Sequence, residues 1–151
     1  MNKRKDIMDE FYSNHNEDVR LIKSYHGQLE YFTTITYIHK FLKPNMKVLE
    51  IGAGTGRYSV TLAKECLEVT AIEYVEKNVE VLKQNSRELN NLFAFQGDAI
   101  NLEKFCDNTF DMVLSLGPLY HLYSREEQER AIDEAIRVAK ENGIIMFAYI
   151  P

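Results

Sequence analysis

Residues 48–56 place glycine at every second position directly after a short apolar run, and an acidic residue, Glu50, lies within that run. The three glycines are Gly52, Gly54 and Gly56. Glycine has no Cβ, so the chain can turn through positive φ here and approach a bound molecule closely. A helical pattern resumes near Arg57, so we expect free N–H groups of the loop to meet polar groups of a ligand. The segment therefore predicts a strand–loop–helix unit that binds a ligand through its backbone.

Two common nucleotide-binding patterns do not match this loop. The pattern G-x-G-x-x-G requires glycine or alanine where Arg57 stands if it begins at Gly52, and it matches weakly from Gly54 because Ser59 takes the sixth position. The phosphate loop requires lysine after its second glycine, and Arg57 follows Gly56. The remaining pattern, E-x-G-x-G-x-G, resembles the first motif of the class I S-adenosylmethionine-dependent methyltransferases. The alternative is a glycine turn with a purely structural role.

Strand-like and helix-like stretches alternate along the rest of the chain, which is typical of a mostly parallel sheet covered by helices on both faces. The predicted strands are 48–51, 69–73, 92–95, 110–116 and 144–150. Ser124 and Glu127 form a capping box before a helix, and Gly143 is expected to end that helix in the left-handed conformation. The predicted fold class is α/β, a Rossmann-like doubly wound sheet.

The resemblance implies seven strands, whereas this sequence reaches only the fifth before Pro151. We therefore expect an S-adenosylmethionine-binding domain over residues 29–151 that is truncated after the fifth strand. In similar proteins the N-terminal segment, here residues 1–28, folds over the ligand as a lid. The outer edge of the fifth strand would be unpaired, and an unpaired apolar edge favours association. We therefore expect either that the chain is a truncated gene product or that it forms a homodimer through this edge.

Composition narrows the class of protein further. The 151 residues, 45% of them hydrophobic, suit one domain, and no apolar run reaches the roughly 20 residues of a membrane span. The net charge of −5 disfavours a nucleic-acid partner and favours a small-molecule substrate. Cys66 and Cys106 are far apart and have no histidine at ligand spacing, so we expect reduced thiols, no metal site and a cytoplasmic location.

The resemblance assigns roles to residues that follow the strands, where open α/β sheets bind ligands. Glu73 would accept hydrogen bonds from the ribose hydroxyls, Asp98 would accept one from the adenine amino group, and Glu50 would lie near the amino-acid portion. A surface glutamate and an aspartate that bonds its own turn are the alternatives for Glu73 and Asp98. The implied cofactor-binding residues are Glu50, Gly52, Ala53, Gly54, Gly56, Glu73, Tyr74, Asp98, Ala99 and Leu116.

The segment after the fourth strand would border the transferable methyl group. Its Leu-Gly-Pro-Leu-Tyr-His-Leu run, residues 116–122, lacks the Asp/Asn-Pro-Pro-Tyr/Phe motif of nucleobase amino-methyltransferases and resembles the small-molecule and quinone-type branch. His121 is the candidate general base because histidine titrates near neutrality, although a histidine held by a backbone carbonyl is an equal alternative. The candidate substrate and lid residues are Tyr12, Tyr25, His26 and Tyr120.

The expected reaction is transfer of a methyl group by in-line displacement to an oxygen, nitrogen or carbon atom, with S-adenosylhomocysteine as the product. Alignment of the two reactants supplies much of the rate enhancement in such reactions, so no catalytic triad is required. Two alternatives stay open: a nucleoside-binding module without transferase activity, and a nicotinamide-dependent oxidoreductase, which Arg57 disfavours.

Overall fold

The structure of this chain, a computed structural model, describes residues 3–14 and 24–148. Helices and five strands alternate along it, and one short 3₁₀ turn, Pro118–His121, follows the fourth strand. The helices are α1 (Lys3–Asn14), α2 (Tyr25–His39), α3 (Arg57–Leu62), α4 (Glu76–Asn85) and α5 (Arg125–Val138). The strands are β1 (Lys47–Ile51), β2 (Glu68–Glu73), β3 (Leu92–Gln96), β4 (Phe110–Ser115) and β5 (Ala139–Phe147).

The five strands form one sheet in the order β3-β2-β1-β4-β5, and every neighbouring pair is parallel. The chain moves outward from β1 to β3 and then crosses to the other side of β1, so the strand order reverses between β1 and β4. In open α/β sheets the crevice at such a reversal is where ligands bind. The predicted α/β Rossmann-like fold is confirmed.

Side chains of the central strands alternate between two apolar cores, one on each face of the sheet. Val48 of β1 and Met112 of β4 lie in one core, whereas Leu49 and Val113 lie in the other. This alternation follows from the two-residue period of a strand, and burial on both faces explains the nearly continuous apolar sequences. The residues of α5 that face the sheet, Ala131, Ala135 and Val138, are buried.

The junction between α5 and β5 differs from the sequence expectation. The helix ends at Val138, earlier than predicted, and β5 begins at Ala139, which pairs with Phe110. The register then shifts, and the left-handed residue in this region is Asn142 (φ 63°). Position 143 needs glycine for a steric reason instead, since a Cβ there would lie 2.8 Å from the carbonyl oxygen of Lys140. The Asn-Gly pair therefore belongs to an irregularity in β5 and not to a helix cap.

β5 is an edge strand of the sheet, as predicted. Its pairing with a second copy of the chain stays a prediction, and the predicted continuation of the strand to residue 150 lies outside the described residues. No helix in the described part of the chain combines the length and the apolar character that a membrane span requires.

Candidate functional site

A cavity of about 560 Å³ opens at the carboxyl ends of the strands, where their order reverses. Nine of the ten residues predicted to bind the cofactor line it, and they are Glu50, Gly52, Ala53, Gly54, Glu73, Tyr74, Asp98, Ala99 and Leu116. Tyr120 and His121 of the 3₁₀ turn line the same cavity. The fold therefore brings together residues from four separate strand ends, as a parallel sheet requires.

The three glycines of the loop all adopt positive φ, but their surroundings differ. A Cβ on Gly52 would lie 2.8 Å from the ring of Pro118, and one on Gly56 would lie 2.1 Å from a methyl carbon of Leu82. These two glycines therefore permit close packing of protein against protein. A Cβ on Gly54 would meet no atom within 4 Å, so this glycine faces open space in the cavity wall.

Gly56 is the one predicted cofactor-binding residue that does not line the cavity. It directly precedes α3, and its position against Leu82 of α4 accounts for the absence of a side chain. A direct contact of Gly56 with the cofactor stays a prediction.

The expectation that the loop presents free N–H groups is wrong for much of its length. The N–H groups of Gly52 and Ala53 both donate to the carbonyl oxygen of Ile72, and that of Gly54 donates to Glu73. The end of β2 thus satisfies the donors that local sequence reasoning assigned to a ligand. Gly54 lets a ligand approach the loop closely, but the N–H groups of Gly52, Ala53 and Gly54 already donate to other protein atoms.

Glu73 is 5% exposed and fixes the loop to the end of β2. Its Oε2 accepts a hydrogen bond from the Gly54 N–H at 2.8 Å, and its Oε1 accepts one from the Val75 N–H at 2.9 Å. Both carboxylate oxygens therefore hold backbone N–H groups beside the cavity. The burial of Glu73 and its place in the cavity wall contradict the surface alternative.

Glu50 lies deeper, at 1% exposure, on the floor of the same cavity. Burial raises the pKa of its carboxyl group from 4.5 to about 7, because the charged form is poorly solvated there. The hydroxyl of Ser59 donates a hydrogen bond to Glu50 and lowers this pKa, while the charge of Glu73 raises it. The carboxyl groups of Glu50 and Glu73 line one cavity, and in their charged forms they complement a positively charged ligand.

Asp98 forms the turn that was the alternative for this residue and also lines the cavity, so its bond to the adenine amino group stays a prediction. Its Oδ1 accepts from the N–H of Ile100 at 3.3 Å, as in an aspartate turn, while its carboxylate also lines the cavity. Its Oδ2 forms an ion pair with the Nη2 of Arg4, which is 94 residues away in sequence. Asp98 is therefore held in place from its own turn and from α1.

Helix α1 lies against the cavity through residues that the sequence analysis missed. Arg4, Met8 and Phe11 line the cavity, and their spacing of four and three residues places them on one helical face. Besides its bond to Asp98, the Arg4 guanidinium lies 3.3 Å from Glu127 and 4.8 Å from the ring centre of Tyr74. The spacing of the three residues was the available signal, but nothing local in the sequence indicated where this face would pack.

Of the four predicted substrate and lid residues, Tyr120 lines the cavity and two others, Tyr25 and His26, do not. Tyr25 and His26 lie at the start of α2 and are exposed, and neither lines the cavity. The side chain of Tyr12 lies outside the described residues. From the N-terminal part of the chain, α1 and the two α2 residues Glu30 and Thr34 reach the cavity instead. The role of residues 1–28 as a lid stays a prediction, for which the packing of α1 supplies a basis.

The lining residues fit a cationic nucleoside. Gly54 leaves room for close approach, the two carboxyl groups on the floor complement positive charge, and Asp98 offers an acceptor at the end of β3. S-adenosylmethionine combines these features, since it has a sulfonium centre, an amino group and an adenosine.

Known proteins share this sequence pattern and this fold. The model of the family described as "Methyltransferase domain" matches residues 49–147. Demethylmenaquinone methyltransferase from Staphylococcus haemolyticus is 33% identical over 108 residues, which are 70% of this chain and 44% of that protein. The "Probable tRNA methyltransferase 9B" of Mus musculus is 29% identical over 130 residues, 81% of this chain and 27% of that protein. The chain thus spans less than half the length of these relatives.

Among solved structures, the N-methyltransferase NodS from Bradyrhizobium japonicum in complex with S-adenosylhomocysteine aligns with a TM-score of 0.84. The alignment covers 96% of this chain and 72% of NodS, and the 17% sequence identity makes it evidence for the fold alone. The family match is independent of that likeness and extends from Leu49 through the glycine loop to the end of β5. With the glycine loop, the acidic strand ends and the five-stranded sheet all inside the matched segment, the chain belongs to the class I S-adenosylmethionine-dependent methyltransferases, with S-adenosylmethionine as the cofactor.

Proposed function

We propose that this chain transfers the methyl group of S-adenosylmethionine to an oxygen, nitrogen or carbon atom of a small-molecule acceptor. The observation that carries the proposal is that Phe11 of α1, Tyr120 and His121 line the same cavity as the predicted cofactor-binding residues, and in this proposal they surround the acceptor. A cavity of about 560 Å³ suits a small molecule better than a folded nucleic acid. The net charge of −5 and the likeness to a demethylmenaquinone methyltransferase support the same class of acceptor.

The residues of the chain bind and align the reactants, since the cofactor supplies an already activated methyl group. In this proposal Glu73 accepts from the ribose hydroxyls, Asp98 accepts from the adenine amino group, and Glu50 faces the amino-acid portion. Gly54 allows the close approach of the cofactor, and the 3₁₀ turn from Pro118 to His121 positions the acceptor beside the methyl group. Holding two reactants in line in this way lowers a barrier by roughly 7–11 kcal/mol.

The likeness to a probable tRNA methyltransferase favours a second candidate acceptor, tRNA. The chain, incubated with methyl-labelled S-adenosylmethionine, is to be tested on a panel of quinols, phenols and amines and, in parallel, on tRNA. Label in a small molecule supports the proposal, whereas label only in tRNA overturns it. Binding of S-adenosylhomocysteine without transfer to any acceptor favours the alternative of a nucleoside-binding module.

We expect His121→Gln to lower kcat by about 10²-fold or more while the Kd for S-adenosylhomocysteine stays unchanged. The reason is that His121, the last residue of the 3₁₀ turn, lines the cavity, where in this proposal it takes a proton from the acceptor. The measurement is a kinetic comparison on whichever acceptor the panel identifies. The matched control is His39→Gln, because His39 lies at the surface, paired with Glu65, and does not line the cavity. An unchanged kcat in His121→Gln would leave His121 with a structural role only.

A further inference from the structure

Asn78 is a buried polar residue in the cavity wall that the sequence analysis did not single out. It lies in the first turn of α4, is 5% exposed and lines the cavity. Within the described residues, its Nδ2 is buried and has no hydrogen-bond partner. A buried donor without a partner costs free energy, so proteins seldom keep one that has no function.

The position of Asn78 on α4 would ordinarily carry an apolar side chain. Its neighbours on the same helical face, Val75, Val79 and Leu82, are apolar and buried. Leucine is close to asparagine in size and would continue this face without the unsatisfied amide. The packing of α4 therefore gives no reason for an amide at this position, whereas the cavity does.

The cavity wall has many acceptors, and a nucleoside needs donors as well. The carboxylates of Glu73 and Asp98 only accept hydrogen bonds, and the N–H groups of Gly52, Ala53 and Gly54 are already used by the end of β2. The ring nitrogens of adenine and the ring oxygen of ribose have lone pairs and no hydrogen, so they require protein donors. The amide of Asn78, which lines the same cavity as Glu73, can supply one.

We propose that Asn78 is a specificity-determining residue of the cofactor site, whose Nδ2–H donates to an acceptor atom on the adenosyl group. This inference rests on the proposed placement of the adenosyl group between Glu73 and Asp98. Asn78 complements these carboxylates: they recognise the donors of the nucleoside, and the amide recognises one of its acceptors. The free protein then keeps an amide without a hydrogen-bond partner because this amide is used when the cofactor binds.

Replacement of Asn78 by leucine separates this role from a structural one. We expect Asn78→Leu to raise the Kd for S-adenosylhomocysteine roughly 10-fold in calorimetry, as loss of one buried hydrogen bond predicts. The urea midpoint of the free protein is expected to stay equal or to rise, because an unsatisfied donor is removed. Asn78→Ala, which also removes the amide, is expected to weaken binding to a similar degree and serves if the leucine variant does not fold.

The matched control is Asn91→Leu. The Nδ2 of Asn91 donates to the carbonyl oxygens of Ala63 and Cys66, at 2.7 and 3.2 Å, and the residue does not line the cavity. This variant is expected to lower the urea midpoint and to leave the Kd unchanged.

A lowered midpoint with an unchanged Kd in the Asn78 variants, as in the control, would overturn the inference. Failure of the unsubstituted chain to bind S-adenosylhomocysteine would overturn the placement of the cofactor itself. The two failures are therefore distinguishable.

Discussion

Gly54→Asn is expected to weaken the binding of S-adenosylhomocysteine strongly and to leave the chain folded. Gly54 has φ +56°, and a Cβ there would meet no protein atom within 4 Å, so an added side chain would extend into the cavity. Asparagine tolerates the left-handed region better than most residues, and this chain already holds Asn108 and Asn142 at φ 53° and 63°. The backbone can therefore keep its conformation while the side chain takes the space that the cofactor needs.

The expected loss of affinity is roughly 5- to 150-fold, because overfilling a close contact costs about 1–3 kcal/mol. Calorimetry with S-adenosylhomocysteine measures the affinity, and thermal unfolding checks that the variant is folded. Gly54→Ala is the graded control, since a single methyl group takes less of the cavity and should weaken binding less. Wild-type affinity in a folded Gly54→Asn protein would show that the cofactor does not approach this glycine.

Glu50 is expected to make the free protein less stable as the pH rises from about 5 to 8. The pKa of Glu50 is about 7 in the folded chain, above its ordinary value of 4.5, so the fold favours the protonated form. Its contribution to stability is complete below pH 4.5 and is lost as the pH rises through 7. The difference between these two pKa values corresponds to roughly 3 kcal/mol of unfolding free energy.

Glu50→Gln should remove most of this pH dependence and raise the stability at pH 8, because the amide stays neutral and can still accept from Ser59. Urea unfolding of both proteins at several pH values measures the effect. Glu88→Gln is the control, since Glu88 is exposed and its replacement should leave the pH profile unchanged. Equal slopes against pH in the wild type and in Glu50→Gln would contradict the burial argument.

Patterns over a few residues were sufficient to predict most of the fold. The first four strands were predicted to within one residue at each end, and Ser124 caps α5 as expected, accepting from the Glu127 N–H at 3.1 Å. Such features depend on side-chain alternation and on turn chemistry, which neighbouring residues determine. The Asn-Gly pair near the end of α5 was misread because the same dipeptide suits a helix end and an irregular strand, and the pairing of β5 with β4 decides between them.

The residues at the strand ends that line the cavity could also be predicted, because the topology of the sheet brings these ends together. Parallel strands bring their carboxyl ends to one edge, so Glu50, Glu73 and Asp98 had to lie close together once the sheet formed. The resemblance then assigned them roles. Tyr25 and His26 were predicted as aromatic side chains of an N-terminal lid that the resemblance implies, and the structure places both in exposed positions that do not line the cavity.

The sequence by itself determined the parallel α/β sheet, the glycine loop and the acidic strand ends, because these follow from local periodicity and chain direction. Only the tertiary structure decided which donors and acceptors are already paired. The N–H of Gly54 is bound by Glu73, Asp98 is held by Arg4 from α1, and the amide of Asn78 has no partner among the described residues. A hydrogen bond depends on the positions of two atoms within a few tenths of an ångström, and for residues far apart in sequence only the packing of the whole chain fixes those positions.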